Sequence, residues 1–245
     1  VAPWVFAWFL ATGAFAVVGF AAGANLADAM TVSGASAGAL LSYVVLVAGG
    51  VGWLVVLGAF VVTGSVATEY GRDEKREMGL AEHTEGRGFR NVAANGAVAF
   101  VAAFAYAVAP TEAVAQAAAF GFVGCMATAT ADTASSEIGS VMGEPRLITT
   151  LERVPPGTDG GVSWQGEVIA LVSSVCVGVV AYLLGVVPAA GAAVGAFGGL
   201  VGVHADSVLG ATVEGSYLEN EGVNCSACAV GAVAAAGIGY SVYFL

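Results

Sequence analysis

Long apolar stretches, broken by short polar connections, set the pattern of this chain. Eight apolar runs occupy approximately 3–22, 35–49, 51–67, 91–109, 112–131, 165–186, 188–203 and 224–244. A helix needs about 20 apolar residues to cross the hydrocarbon core of a bilayer. Transmembrane strands would instead alternate in short segments of about 10 residues. These runs are continuous and rich in Ala, Leu, Val and Gly, so helices that satisfy their own backbone are the expected solution. The pattern predicts an all-α, polytopic transmembrane bundle of about eight spans, forming one domain over residues 1–245. The second and seventh runs are short and Gly-rich. Gly191, Gly195, Gly198, Gly199 and Gly202 stripe the seventh, which fits either close helix packing or a broken helix beside a polar cavity.

The polar connections are unequal. All seven basic residues fall in two of them: Arg72, Lys75, Arg76, Arg87 and Arg90 within 68–90, and Arg146 and Arg153 within 132–164. Two spans and a turn at Pro110 separate these loops, so they share a side. Clustered Lys and Arg make that side cytoplasmic. Counting outwards places 23–34 and 204–223 there too, with both termini outside. Trp4, Trp8, Tyr240 and Tyr243 then fall in the outer aromatic belt. The outer connections near Gly50, Pro110 and Val187 carry almost nothing. The mixed charges between Ala67 and Glu85 suggest a solvated helix or loop.

Composition sharpens the class. The chain is 58% hydrophobic and 10% charged, with a mean hydropathy of +0.86, against about 25% charged residues in a soluble domain. Its net charge of -11, with one Lys among the basic residues, excludes nucleic acid as a partner, since that needs a basic face. Such acidity suits the salt-rich cytoplasm of a halophilic archaeon, and the expected location is the plasma membrane of a prokaryote. A GC-rich genome would favour the same residues. Cys225 and Cys228 form a Cys-x-x-Cys without a second pair, so they and Cys125 and Cys176 read as small packing residues, not a zinc site. The first run begins at Pro3 with neither a basic n-region nor a cleavage site, so no secretory signal is expected.

The groups capable of chemistry gather on the basic side. Asp132 and Glu137 stand where the fifth run ends. A carboxylate at the centre of a span costs about 3 kcal/mol, so such residues usually line a polar cavity. Five residues correspond to about 140° on a helix, so either the helix breaks or the two have different roles. Asp132 shares a face with Ser136. Asp206 ends the seventh run in His204-Ala-Asp-Ser-Val-Leu-Gly210, followed by Ser207; His204 reads as a packing residue. Mg²⁺ takes one or two carboxylates plus substrate phosphates, and Asp132 with Asp206 meets that requirement. In Pro155-Pro-Gly-Thr-Asp-Gly-Gly-Val-Ser163, Gly157, Gly160 and Gly161 permit a nest of backbone N–H groups. Thr158 and Ser163 add hydroxyls. Arg146 and Arg153, with Thr149 between them, can add charge-assisted bonds to phosphate. This is not a P-loop, which needs Gly-Lys-Ser/Thr before a helix. Asn91 and Asn95 share a helix face, and Asn95, inside an apolar run, needs a partner from another helix or a ligand. Asn25-Leu-Ala-Asp28, Ala131-Asp-Thr and Ala205-Asp-Ser form a weak internal echo.

Together these motifs resemble a family of integral membrane proteins that includes the plant plastid phytyl-phosphate kinase and animal transmembrane protein 19. The family pattern is Asp-Thr-Trp-Ala-Ser-Glu-Ile/Val-Gly, then Pro-Arg-Leu-Ile-Thr-Thr, then Pro-x-Gly-Thr-Asn/Ser-Gly-Gly-Val-Ser/Thr, with Ala-Asn-Gly earlier and Asp-Ser-Leu-Leu-Gly-Ala-Thr later. This chain carries Asp132, Thr133, Ser136, Glu137 and Gly139; Pro145 to Thr150; Pro155, Gly157, Thr158 and Gly160 to Ser163; Asp206, Ser207 and Leu209 to Thr212; and Ala94-Asn95-Gly96. It departs from the pattern at Ala134, Ser135, Asp159 and Glu214. The resemblance implies phosphoryl transfer from CTP to a polyprenyl monophosphate, such as phytyl or geranylgeranyl phosphate. Asp132 and Asp206 would hold Mg²⁺, and Glu137 would complete the site or activate the acceptor. Phosphates would be met by Arg146, Arg153, the 157–163 loop, Asn91, Asn95, Ser136, Thr149 and Ser207. The alternative is a transporter or scramblase of a phosphorylated isoprenoid lipid that uses the same anion site without chemistry.

Overall fold

The computed structural model describes residues 30–80 and 88–244, with scattered positions between 11 and 23. Trp4, Trp8, Asn25-Leu-Ala-Asp28, Arg87, most of the first predicted span and the Tyr243 side chain lie outside the described residues. The helices are α1 (Val32–Gly49), α2 (Val51–Glu69), α3 (Arg72–Glu77), α4 (Phe89–Ala107), α5 (Glu112–Met142), α6 (Trp164–Leu183), α7 (Ala189–Thr212) and α8 (Asn220–Phe244). Six of them, α1, α2, α5, α6, α7 and α8, are long and apolar enough to cross a membrane. The chain is an all-α polytopic membrane bundle. Among the described residues, the connection between α5 and α6 carries a minimal antiparallel ladder, β1 (Arg146–Leu147) with β2 (Gly161–Val162), which pairs Arg146 with Val162 and Leu147 with Gly161.

Local chemistry sets the helix starts. Thr31, Thr111 and Ser163 precede α1, α5 and α6, and each side chain accepts a backbone N–H of the first turn, satisfying a donor that the helix cannot. Gly50, at φ 82°, is the single residue between α1 and α2.

The 31-residue α5 is the axis of the bundle and packs against α8, α6, α7, α4 and α2. Phe120, Phe122, Val123 and Met126 are fully buried there, and Trp53 stacks on Phe122 with ring centroids 4.3 Å apart. Small residues bring the other helices in. A Cβ on Gly198 would stand 2.7 Å from the Gly231 carbonyl oxygen and from Ala235, so α7 and α8 touch backbone to backbone. The glycine stripe is buried in one unbroken helix, which is the close-packing alternative. Leu171, Val172, Val175 and Val179 of α6 remain exposed, as a lipid-facing surface requires.

The helices outrun the apolar runs. α5 continues to Met142 and α7 to Thr212, so the predicted connections 132–164 and 204–223 shrink to 143–163 and 213–219. Asp132, Glu137 and Asp206 therefore lie within helices, not at their ends. The physical reason is that a continuous helix keeps its backbone bonded whatever its side chains. A span read from hydropathy stops at the first carboxylate, but the helix does not.

Candidate active site

Where the polar connections gather, the helices enclose a cavity of about 360 Å³. Asp132, Thr133, Ser136 and Glu137 enter it from α5, and Asp206 and Ser207 from α7. Asn91 and Asn95 line it from α4, Gly166 and Glu167 from the start of α6, and Asn220 and Asn224 from α8. The connection from Gly157 through Ser163 forms another wall. Twelve of the residues expected at the site thus share one space, although they come from four separate stretches of sequence.

Asp132 and Asp206 converge. Their carboxyl groups lie within hydrogen-bonding reach of each other, and the Ser136 side chain bonds to Asp132. Asp206 Oδ1 is buried with no hydrogen-bond partner. Two facing carboxylates, one with an orphaned oxygen, form an all-oxygen donor set that suits a hard divalent cation. Among the described residues no group of three or more His, Cys, Asp and Glu is placed to hold a metal. Asp132 and Asp206 thus supply two carboxylates, a number that would fit Mg²⁺, an ion that usually keeps water and phosphate oxygens in its other positions.

Glu137 reaches the cavity from a different side of α5, at its Lys75 wall, as its five-residue offset from Asp132 requires. Lys75 Nζ donates to Glu137 Oε2 at 2.6 Å, and Thr68 Oγ1 donates to Oε1 at 3.1 Å. The ammonium also donates to the Ala67 and Thr68 carbonyl oxygens, both at 3.0 Å. All three Lys75 protons are thus used, and the residue is only 3% exposed. The expectation of a solvated segment over 67–85 holds for Asp73 and Glu74 in α3 but fails at Lys75, which turns inward to meet a carboxylate 62 positions away. Sequence reasoning missed this residue. The available signal was that Lys75 is the sole lysine in the chain.

The electrostatics of the cavity follow. Asp132, Glu137, Asp159, Glu167, Asp206 and Glu214 line it against one committed ammonium. Burial, and then the Asp159 carboxylate, push the Glu214 carboxyl above its ordinary range, with a hydrogen bond involving Asn220 opposing. A space with this charge repels phosphate unless cations accompany it. Glu167 is met by His204, whose Nε2 lies 3.3 Å from Oε2; His204 Nδ1 also meets the Leu200 carbonyl at 2.8 Å.

The 157–163 connection is fixed against α7. Gly160 has φ +73°, and a Cβ there would lie 2.5 Å from both the Ser207 carbonyl oxygen and Ala211 Cβ. Gly160→Ala is therefore expected to lift the loop off α7 and destabilise the protein by about 1–3 kcal/mol. Thermal unfolding in detergent measures this, and an unchanged midpoint would show that the seat is not needed. Ser163 Oγ accepts from Gly166 N at 3.1 Å as the cap of α6, and Thr158 Oγ1 donates to the Pro155 carbonyl at 2.7 Å.

Arg146, Thr149 and Arg153 do not line the cavity. Arg146 donates to the Leu151 carbonyl at 2.7 Å, and Arg153 pairs with Glu144 at 3.1 Å on the exposed face of the hairpin. Exposed pairs of this kind contribute about 0–1 kcal/mol. These arginines brace the hairpin that carries the glycine loop.

No solved structure matches the chain. An uncharacterized membrane protein of Synechocystis is 36% identical over 191 residues, covering 76% of this chain and 73% of the relative. One from Methanocaldococcus jannaschii is 33% identical, covering 83% and 82%. The Arabidopsis thaliana protein VTE6, chloroplastic, is 32% identical, covering 86% of this chain and 65% of its own length. Residues 4–242 match the family described as integral membrane protein DUF92, and the chain belongs to that family.

Proposed function

We propose that the protein is a membrane-embedded phosphotransferase. It moves the terminal phosphoryl group of a nucleoside triphosphate, with CTP the expected donor, onto a prenyl monophosphate such as phytyl or geranylgeranyl phosphate. The bond between the donor's terminal phosphorus and its bridging oxygen breaks. A bond from that phosphorus to an acceptor phosphate oxygen forms, giving a nucleoside diphosphate and a prenyl diphosphate. The observation that carries this reading is the convergence of Asp132 and Asp206, with an unpartnered Asp206 oxygen, in a polar cavity walled by a glycine loop. The family motifs and the similarity to VTE6 support it.

Phosphoryl transfer asks a protein chiefly for positioning and charge. Asp132 and Asp206 would hold Mg²⁺, which would supply positive charge to offset that of the phosphates. Ser136 fixes the Asp132 carboxyl. The first turn of α6 reaches the cavity at Ser163 and Gly166, and the positive end of a helix favours phosphate there. Asn91 and Asn95 offer amides, and Ser207 a hydroxyl, from the facing walls. Glu137, tied to Lys75 and Thr68, is a positioning residue that locks α2 and α3 onto α5.

In this reading the cavity opens to the cytoplasm, the source of nucleotide, which the clustered basic residues favour. In a background with the four native cysteines replaced by alanine, cysteines placed at Arg76 and Thr150 should both react only with reagent on the cytoplasmic side. One at Pro110 should react only from the other side. Labelling of Arg76 and Thr150 from opposite sides would overturn the arrangement.

The function is tested by incubating the purified protein with Mg²⁺, a panel of nucleoside triphosphates and farnesyl to geranylgeranyl monophosphates, then detecting prenyl diphosphates by mass spectrometry. The expected result is diphosphate formation that a chelator abolishes and Mg²⁺ restores. Absence of diphosphate with every donor would refute the reading.

A further inference from the structure

A second, apolar groove lies beside the polar cavity, and the two meet. It runs between α1, α2 and α4, with Val17 and Met30 of the segment before α1 also on its wall, and is lined by Leu41, Leu57, Val61 and Val92. Phe60, Asn91 and Asn95 line both spaces. The groove has a simple origin. α1 and α2 are joined by Gly50 alone, yet α1 leans mainly along α4 and touches α2 lightly. The gap leaves apolar side chains facing one another, with two amides at its polar end.

We infer that this groove seats the isoprenoid chain of the acceptor, an inference that rests on the phosphotransferase reading of the adjoining cavity. An amphiphile with a hydrocarbon tail and a phosphate head fits the order of surfaces found here: apolar walls, then the Asn91 and Asn95 amides, then the carboxylates and glycine loop. A tail held in the groove fixes where its phosphate projects, and alignment of acceptor with donor is the main demand of this chemistry. A tail left in bulk lipid would give no such register. The groove also makes chain length a property that the protein reads.

Gly38 offers a way to shorten the groove. It lines the groove, and a Cβ there would meet only the Met30 sulfur at 3.9 Å and methyl at 4.0 Å, so a larger side chain is accommodated by the backbone and projects into the apolar space. Two measurements test the assignment. In the first, the full chain in lipid nanodiscs, without nucleotide, is irradiated with farnesyl monophosphate carrying a diazirine at the end distant from the phosphate. Crosslinks are expected on α1 and α2 and should be competed by geranylgeranyl monophosphate. Crosslinks confined to the lipid face of α6, or unaffected by competitor, would overturn the inference. Competed groove labelling without turnover would retain the groove while removing the phosphotransferase reading. In the second, Gly38→Leu should lower turnover of geranylgeranyl relative to dimethylallyl monophosphate by about tenfold or more. An unchanged ratio would show that the tail lies elsewhere.

Discussion

Asp206→Asn is expected to reduce phosphoryl transfer by about a thousandfold, because a metal bound to phosphate oxygens supplies several kcal/mol of transition-state stabilisation. The substitution keeps the shape of the side chain and removes the charge. Asp206 Oδ1 has no protein partner, so no hydrogen bond that holds the fold depends on that oxygen. Asp132, alongside it, should respond similarly as Asp132→Asn. Stability should move the other way or not at all. Two adjacent carboxylates repel one another, and a neutral amide is easier to bury than an unpaired charge. Turnover and the thermal midpoint in detergent should therefore separate. A variant that retained more than about a tenth of wild-type turnover, a loss too small for a lost metal ligand, would sink the shared-ion assignment.

Lys75→Met should have the largest effect on stability, a loss of about 3 kcal/mol, typical of breaking one side of a buried ion pair. The Lys75 side chain is 4% exposed and that of Glu137 19%. Removing the ammonium strands a carboxylate and takes one donor away from each of the Ala67 and Thr68 carbonyl oxygens. Adding Glu137→Gln should recover part of the loss, because the stranded charge is then gone while the Thr68 hydroxyl still has an oxygen to meet. Thermal unfolding of the single and double variants forms a double-mutant cycle. Strict additivity would mean that the contact carries no coupling and that Lys75 acts only by filling space.

Much of the site was legible because its residues cluster in short motifs. Asp132 and Asp206 were readable as partners without any contact information. Each stands at the polar margin of an apolar run, and the count of spans puts both margins on one side. Helix length was not legible. Ser135, Ser136 and Ser140 look like the start of a loop, yet Ser135 and Ser140 donate to carbonyls of α5 itself, three residues back, so the helix tolerates them. Charge misled in both directions. Arg146 and Arg153 looked like phosphate ligands because they flank the glycine loop, but their reach is spent on Leu151 and Glu144. Lys75 looked solvated because its neighbours are charged, whereas a six-residue helix turned it alone toward α5. Periodicity in a segment that short does not reveal which side faces in, and a partner 62 positions away leaves no local trace. The apolar groove was hidden for a related reason. In a chain this hydrophobic, the side chains that line a tail and those that face lipid are the same residue types.

The measurement that bears most directly on the account uses a nucleoside triphosphate labelled in its terminal phosphate. It is supplied with geranylgeranyl monophosphate and Mg²⁺ to the purified protein in sealed vesicles, beside the Asp206→Asn variant. The account predicts that label enters the lipid as diphosphate, one phosphoryl group for each nucleoside diphosphate released, and that the variant transfers none above background. Movement of the unaltered monophosphate between leaflets, with no label in lipid and no nucleoside diphosphate, would contradict it and assign the same cavity to transport.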